Sequence, residues 1–209
     1  AAAAESPAAE SAAAAAAWAE LTPTQLKALR FCRRNAHIFD HESAGQLEQQ
    51  TAALGWTGAE VRLALDWIRF AAPITINVRL ARDLPHFVRD GEYKTLFETG
   101  SGGGHTGLWQ RATWERKVFG PAYGDAFVPA AARKKGAKLA ARVCPPAERP
   151  KYGALNWTGR PQGAAPHYGP SFFEMAPHVR ARATLTSGDS CTKSVRDIGM
   201  VDLPRRLMV

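Results

Sequence analysis

Two stretches of this chain carry residues that can grip an anion. Arg79 closes Ile74-Thr-Ile-Asn-Val-Arg79, where isoleucine, isoleucine and valine alternate with threonine, asparagine and arginine. A period of two is that of a strand with one apolar and one polar face. It puts Arg79 on the face of Thr75 and Asn77, opposite Ile74, Ile76 and Val78. A guanidinium closing such a face can offer two parallel N–H donors to a phosphate, and the arrangement suits a cleft. The plainer reading is a surface or ion-paired arginine. The second stretch is Glu98-Thr-Gly-Ser-Gly-Gly-Gly-His105. Successive glycines bring backbone N–H groups close to an anion, yet neither Walker nor GxGxxG spacing is present, and a linker or hairpin turn fits equally well.

Further down, Tyr152-Gly-Ala-Leu-Asn156 reads as a strand with Tyr152 and Asn156 on one face. It is either a core strand or a platform whose ring stacks on a ligand, with Gly153 allowing close backbone approach. Ser187-Gly-Asp-Ser190 is a turn sequence following the strand-like Thr184-Leu-Thr186. Metal chemistry has little support. Cys32, Cys144 and Cys191 lie far apart, form no CxxC pair and suggest no disulfide framework, as expected in a reducing compartment. His37 and His41 have helical spacing beside Asp40 and Glu42, which reads as a solvated helix end.

The chain has 209 residues, enough for one domain with a small helical extension, and a net charge of +8 that favours anionic partners. Arg133-Lys-Lys135 with Lys138 and Arg142, the group Arg30, Arg33 and Arg34, and Arg205-Arg206 hold much of it. None is interleaved with aromatic residues, and no helix-turn-helix or zinc-finger spacing occurs, so a basic nucleic-acid-binding protein is the minor alternative and nucleic acid is not the expected partner. Residues 1–20 are an alanine-rich, low-complexity leader without the basic and strongly apolar regions of a signal peptide. No apolar run reaches the length of about 18 residues that a transmembrane helix needs. A soluble protein is expected, cytoplasmic or secreted into a host cell without a classical signal peptide, and with no membrane partner.

These residues need elements to position them. Thr22-Pro-Thr-Gln25 is a capping box opening a short helix, a second helix covers about residues 42–54 and stops at Gly55, and Thr57-Gly-Ala-Glu60 opens a third that ends before Pro73. A loop around His86 leads to Tyr93–Phe97, a short strand or helix end. A helix is expected over 107–120, loops over 121–150, and strands over Tyr152–Trp157, Ser171–Met175 and Thr184–Thr186. Helices followed by strands argue α+β rather than a doubly wound sheet.

Phe97-Glu-Thr-Gly-Ser101, Arg149-Pro-Lys-Tyr-Gly-Ala-Leu-Asn156, Gly163–Gly169 and His178–Ser190 together resemble one bacterial domain family. It was long of unknown function, and it contains the CteC-type effectors, mono-ADP-ribosyltransferases that modify host ubiquitin on a threonine. The resemblance spans about residues 20–190. It implies a helical N-terminal subdomain, residues 21–72, packed on a split β-core of ADP-ribosyltransferase type, residues 73–209. It implies NAD as substrate, with Arg79 gripping its phosphate and ribose as the catalytic arginine. Thr99, Gly100 and Ser101 would brace the nicotinamide pocket, with Tyr152, Asn156 and Ser187 also bordering NAD. Either Ser101 or the Thr186-Ser187 run corresponds to the serine motif. In one respect the chain departs from the pattern. The family's glutamate follows the glycine-aspartate-serine turn, whereas beyond Ser190 only Asp197 and Asp202 are acidic; Glu98, Glu148 and Glu174 lack the right context. The resemblance therefore implies a truncated chain, a degenerate homologue acting as a binding module, or an aspartate in the glutamate's place.

Overall fold

The computed structural model describes residues 16–100, 104–123, 144–200 and 202–203, with the backbone alone for 104–106. Thr22 fixes where the first helix starts. Its hydroxyl accepts from the Gln25 N–H at 3.3 Å, while the Gln25 side chain accepts from the Thr22 N–H at 3.1 Å. Two otherwise orphaned donors are thereby satisfied. Helix α1 then runs unbroken over Pro23–Ala53, a single helix of 31 residues where the sequence suggests two. Nothing inside it forbids continuation: Gly45 costs only about 1 kcal/mol against alanine in a helix interior. Its buried residues, Ala28, Leu29, Cys32, Ala36, Asp40, Ser43, Leu47 and Thr51, recur every three or four positions. His37 and His41 accordingly lie exposed in mid-helix, not at a helix end.

The Thr57 capping box opens helix α2, Gly58–Asp66, and a widened turn over Trp67–Ala71 follows it. Carbonyls at this C-terminal end meet the Arg180 guanidinium, which donates to the oxygens of Ile68 and Ala72 and, at 2.7 Å, to that of Arg69. Charged donors satisfying several orphan carbonyls are among the stronger hydrogen bonds. Arg180→Ala should lower stability by about 2–3 kcal/mol. A reduced urea midpoint at constant slope would register it.

Strand β1, Ile74–Val78, is central in a three-stranded antiparallel sheet of order β2-β1-β3, flanked by β2, Ala154–Leu155, and β3, Ser171–Glu174. Strand β2 is far shorter than the expected Tyr152–Trp157, because Asn156 already begins a turn. The strand at β1 also stops one residue early. Arg79 is the N-cap of helix α3, Leu80–Asp90, where the sequence suggests a loop around His86. Pro85 misleads the reading: it removes one helical N–H, but Pro85 and its would-be partner Ala81 are both exposed, where water can take the freed carbonyl.

Helix α4 is a single turn, Leu96–Thr99, and α5 spans Gly104–Phe119, as expected, running into a 3₁₀ turn over Gly120–Tyr123. Strand β4, Thr184–Thr186, pairs antiparallel with β5, Ile198–Met200, which the sequence does not announce. The main core joins α1, α5 and β5 through Ala28, Leu29, Cys32, Ala36, Val118, Phe119, Tyr123, Cys144, Ile198 and Met200. Burial pushes the Cys32 thiol up to about 12 and that of Cys144 to about 11, so both stay protonated and inert at neutral pH. The fold is thus mixed α+β, with small antiparallel sheets. Among the described residues, no helix is long and apolar enough to cross a membrane.

Candidate functional site

The polar face of β1 does not line a cleft. Thr75 is fully buried; its hydroxyl accepts from the Ala164 N–H at 3.1 Å and donates to the Ala154 carbonyl at 3.3 Å. The Asn77 amide donates to the carbonyls of Gln162, at 2.6 Å, and Gly169, at 2.9 Å, while its oxygen accepts from the Ala165 N–H at 2.9 Å. The loop 162–169 is thereby laced across the strand, filling the space in which the sequence suggests a cleft. Arg79, beyond it, is exposed, and its backbone N–H donates to the Asp83 carboxylate at 2.8 Å.

Phe97-Glu-Thr99 is helical, not part of a strand, and Gly100 caps the turn. Thr95 caps α4: its hydroxyl accepts from the Glu98 N–H at 3.2 Å, and Glu98 accepts from the Thr95 N–H at 2.7 Å. This Thr-x-x-Glu box was the overlooked signal. The Thr99 hydroxyl turns back to the Thr95 carbonyl at 3.2 Å, and Gly100 ends the turn at φ 68°. Ser101, like the basic run Arg133–Lys135, lies outside the described residues. Asn156 is also bound locally. It is buried, and its amide exchanges two 2.9 Å hydrogen bonds with the Arg160 backbone. It therefore shapes a turn instead of sharing a ligand face with Tyr152. Ser187 is exposed, its hydroxyl 3.3 Å from the Lys193 ammonium.

A different set of groups does come together. Glu115, on the buried side of α5, forms an ion pair with Arg149 in which both side chains are 1% exposed. Its other oxygen accepts from the Tyr152 hydroxyl at 3.0 Å. The Arg149 guanidinium lies 4.0 Å over the Phe97 ring, and Arg111, one turn before Glu115, lies 4.5 Å over the Tyr152 ring. Burial pushes the Glu115 carboxyl above its ordinary range, although Arg149, the Tyr152 hydroxyl and Arg111 all pull it down. Burial likewise raises Tyr152, reinforced by the Glu115 charge. Tyr152 therefore remains a proton donor at any physiological pH.

Sequence reasoning missed Glu115 and Arg111. A signal existed: Leu108, Ala112, Glu115 and Phe119 all share the core phase of α5, at steps of four, three and four. An acid in that phase demands a buried cation.

This network gathers the segments singled out in the sequence. The Phe97 turn reaches it through Arg149, and Thr95 donates to the Pro146 carbonyl at 3.0 Å. Tyr93 donates to the Tyr152 carbonyl at 3.2 Å and feels the charges of Arg111 and Asp83. The 3₁₀ turn Ser190–Thr192, closing Ser187–Ser190, packs on α5, where Cys191 lies in the field of Arg111. Over residues 75–209, well over half its length, the chain matches the family described as Protein of unknown function (DUF3626). The chain belongs to this family. Every residue of the network lies inside the DUF3626 stretch, as do both sheets apart from Ile74. Helices α1 and α2 precede it, yet α1 supplies one wall of the core that α5 and β5 complete. No curated protein matches the chain.

The acidic candidates are committed elsewhere. Asp197 accepts from the Ser194 N–H at 2.9 Å and hydroxyl at 3.0 Å, and Asp202 pairs with Arg33 at 2.6 Å.

Proposed function

We propose that this DUF3626 protein is a mono-ADP-ribosyltransferase-type protein. It takes NAD at the surface where the Phe97, Arg149 and Ser187 segments meet, and it acts on a protein side chain, a threonine hydroxyl of ubiquitin being the acceptor the resemblance implies. The small sheets around β1 and β4 stand for the split β-core in this reading. One observation carries the proposal: of the segments singled out for their likeness to the CteC-type transferases, Arg149 and Tyr152 bind Glu115 of α5, the turn that closes Ser187–Ser190 packs on α5, and the Phe97 ring meets them through Arg149. In the transfer, the acceptor oxygen forms a bond to C1 of the ribose while the C1–nitrogen bond breaks. Nicotinamide leaves with the electron pair, and the acceptor proton passes to solvent or a base. A carboxylate by the ribose would stabilise the cationic transition state.

A second reading rests on the carboxylates. Glu115 is clasped by Arg149 and Tyr152, Glu98 and Asp197 are spent in capping boxes, and Asp83 holds the Arg82 guanidinium and the Arg79 N–H. With these four acids engaged, none of them is left to serve a ribose, which fits a protein that binds without transferring. Labelled NAD, ubiquitin and the chain, run beside Arg79→Ala, decide between the two. Label transfer to ubiquitin supports the enzyme, and its loss in the variant places Arg79 in the site. NAD or ubiquitin binding without transfer supports the binding module, and a folded chain that binds neither ends both.

A further inference from the structure

We infer that Arg111 is the anchor for a phosphate or pyrophosphate group at the meeting point on α5. This deepens the NAD reading above and rests on it. Arg111 and Glu115 are one turn apart, so both face the network. The half-buried Arg111 guanidinium lies 4.5 Å over the Tyr152 ring and 5.8 Å from the centre of the Trp114 ring. Aromatic stacking holds a guanidinium in one plane, and although Arg111 also directs a donor at the Tyr152 side chain, its further N–H groups can serve an oxyanion.

The local pairing of donors and acceptors asks for such a ligand. Two guanidiniums, Arg111 and Arg149, face one carboxylate, Glu115, and both oxygens of that carboxylate are taken, by Arg149 and by Tyr152. A second shortfall is independent of this. Among the described residues, Nη2 of Arg149, in a side chain 1% exposed, has no hydrogen-bond partner. Buried donors are almost always paired. Among the described residues the cluster thus holds an unmet buried N–H donor and, in Arg111, a half-buried guanidinium with no carboxylate of its own, and an oxyanion is the class of ligand that suits such donors. Of the other acids described nearby, the Asp189 carboxylate accepts from the Cys191 N–H in an exposed turn, and Glu148, itself with an unpartnered buried oxygen, acts on Cys144 together with Arg149 and Glu115. Arg79, by contrast, is exposed, and among the described residues no ring stacks on it. The phosphate grip that the resemblance assigns to Arg79 moves in this inference to Arg111.

Calorimetric titration of the full chain with inorganic pyrophosphate and with ADP-ribose tests it, on the wild type, Arg111→Gln, Arg111→Lys and, as a control for lost charge at an exposed arginine of α2, Arg62→Ala. Arg111→Gln should weaken both ligands by roughly tenfold or more, since it removes a charge-assisted bidentate contact. Arg111→Lys should fall between, and Arg62→Ala should change either affinity by less than about twofold. Thermal melts establish that each variant is folded; should the glutamine variant not fold, the lysine variant, which keeps charge and length, carries the test. Wild-type affinity for pyrophosphate no better than for acetate at equal ionic strength overturns the inference, and so does full affinity in either Arg111 variant. NAD bound equally well by Arg111→Gln sinks the inference alone. Pyrophosphate held through Arg111 with no ADP-ribose passed to ubiquitin sinks the transferase reading alone.

Discussion

Replacing Arg149 with methionine should destabilise the chain by about 3–5 kcal/mol, because it strands the Glu115 charge in the interior. The loss should also depend on pH. Burial holds the Glu115 carboxyl above its ordinary 4.5 even with Arg149 present. A group that binds its proton more tightly folded than unfolded favours folding at low pH. Its contribution is complete below 4.5 and disappears as pH rises through the elevated folded value. Without Arg149 that folded value climbs further, since the largest opposing pull is gone. The deficit of the variant relative to wild type should therefore be greatest near pH 7 and shrink on acidification toward about pH 5. The double variant Arg149→Met/Glu115→Gln removes the stranded charge and should recover most of the loss, and its stability relative to wild type should vary with pH only through the titration of the wild-type Glu115. Urea unfolding of the three proteins across that range measures it. A deficit that stays constant with pH would assign the loss to the contact with Phe97 instead.

The sequence reveals the parts of this fold that depend on neighbours in the chain. The Thr22 and Thr57 boxes place both early helices, and the alternation over Ile74–Val78 gives β1, because a cap or a pleat is decided within a few residues. The single length of α1 is less legible. Residues 35–41 carry no strong apolar rhythm, and it is the buried Ala36 and Asp40 that carry the helix through. Helix α3 was hidden by Pro85, and β5 by its three-residue length and its glycine, Gly199. The site diverges most. Thr75, Asn77 and Asn156 have the residue types of a ligand face, yet a side-chain amide serves a protein loop as readily as a nucleotide. Only the fold decides which of the two it meets. Glu115 was the opposite case: its position among Leu108, Ala112 and Phe119 was legible, but its partner Arg149 lies 34 residues away and no local pattern links them.

The lacing of the loop 162–169 onto β1 should be as sensitive as the ion pair. A Cβ on Gly169 would strike the Val78 carbonyl and lie 2.6 Å from the Arg79 nitrogen, both of them backbone that cannot swing aside. Gly169→Ala should thus cost about 3 kcal/mol or more, by pushing the loop from the strand. Asn77→Ala attacks the same contact from the other side. It deletes three hydrogen bonds, worth about 2–4 kcal/mol together at roughly 1 kcal/mol each. Bulk stability alone would not separate the lacing from a general weakening of the sheet, but hydrogen exchange does. The Ala165 amide is held by Asn77 and the Ala164 amide by Thr75. Asn77→Ala should therefore release Ala165 first, Thr75→Val should release Ala164, and the β1–β3 amides should stay protected in both until global unfolding. Unchanged protection at Ala165 in Asn77→Ala would mean that the loop is held by something other than the polar face of β1. That face would then again be open to a ligand, and Arg79 would regain its claim to the phosphate.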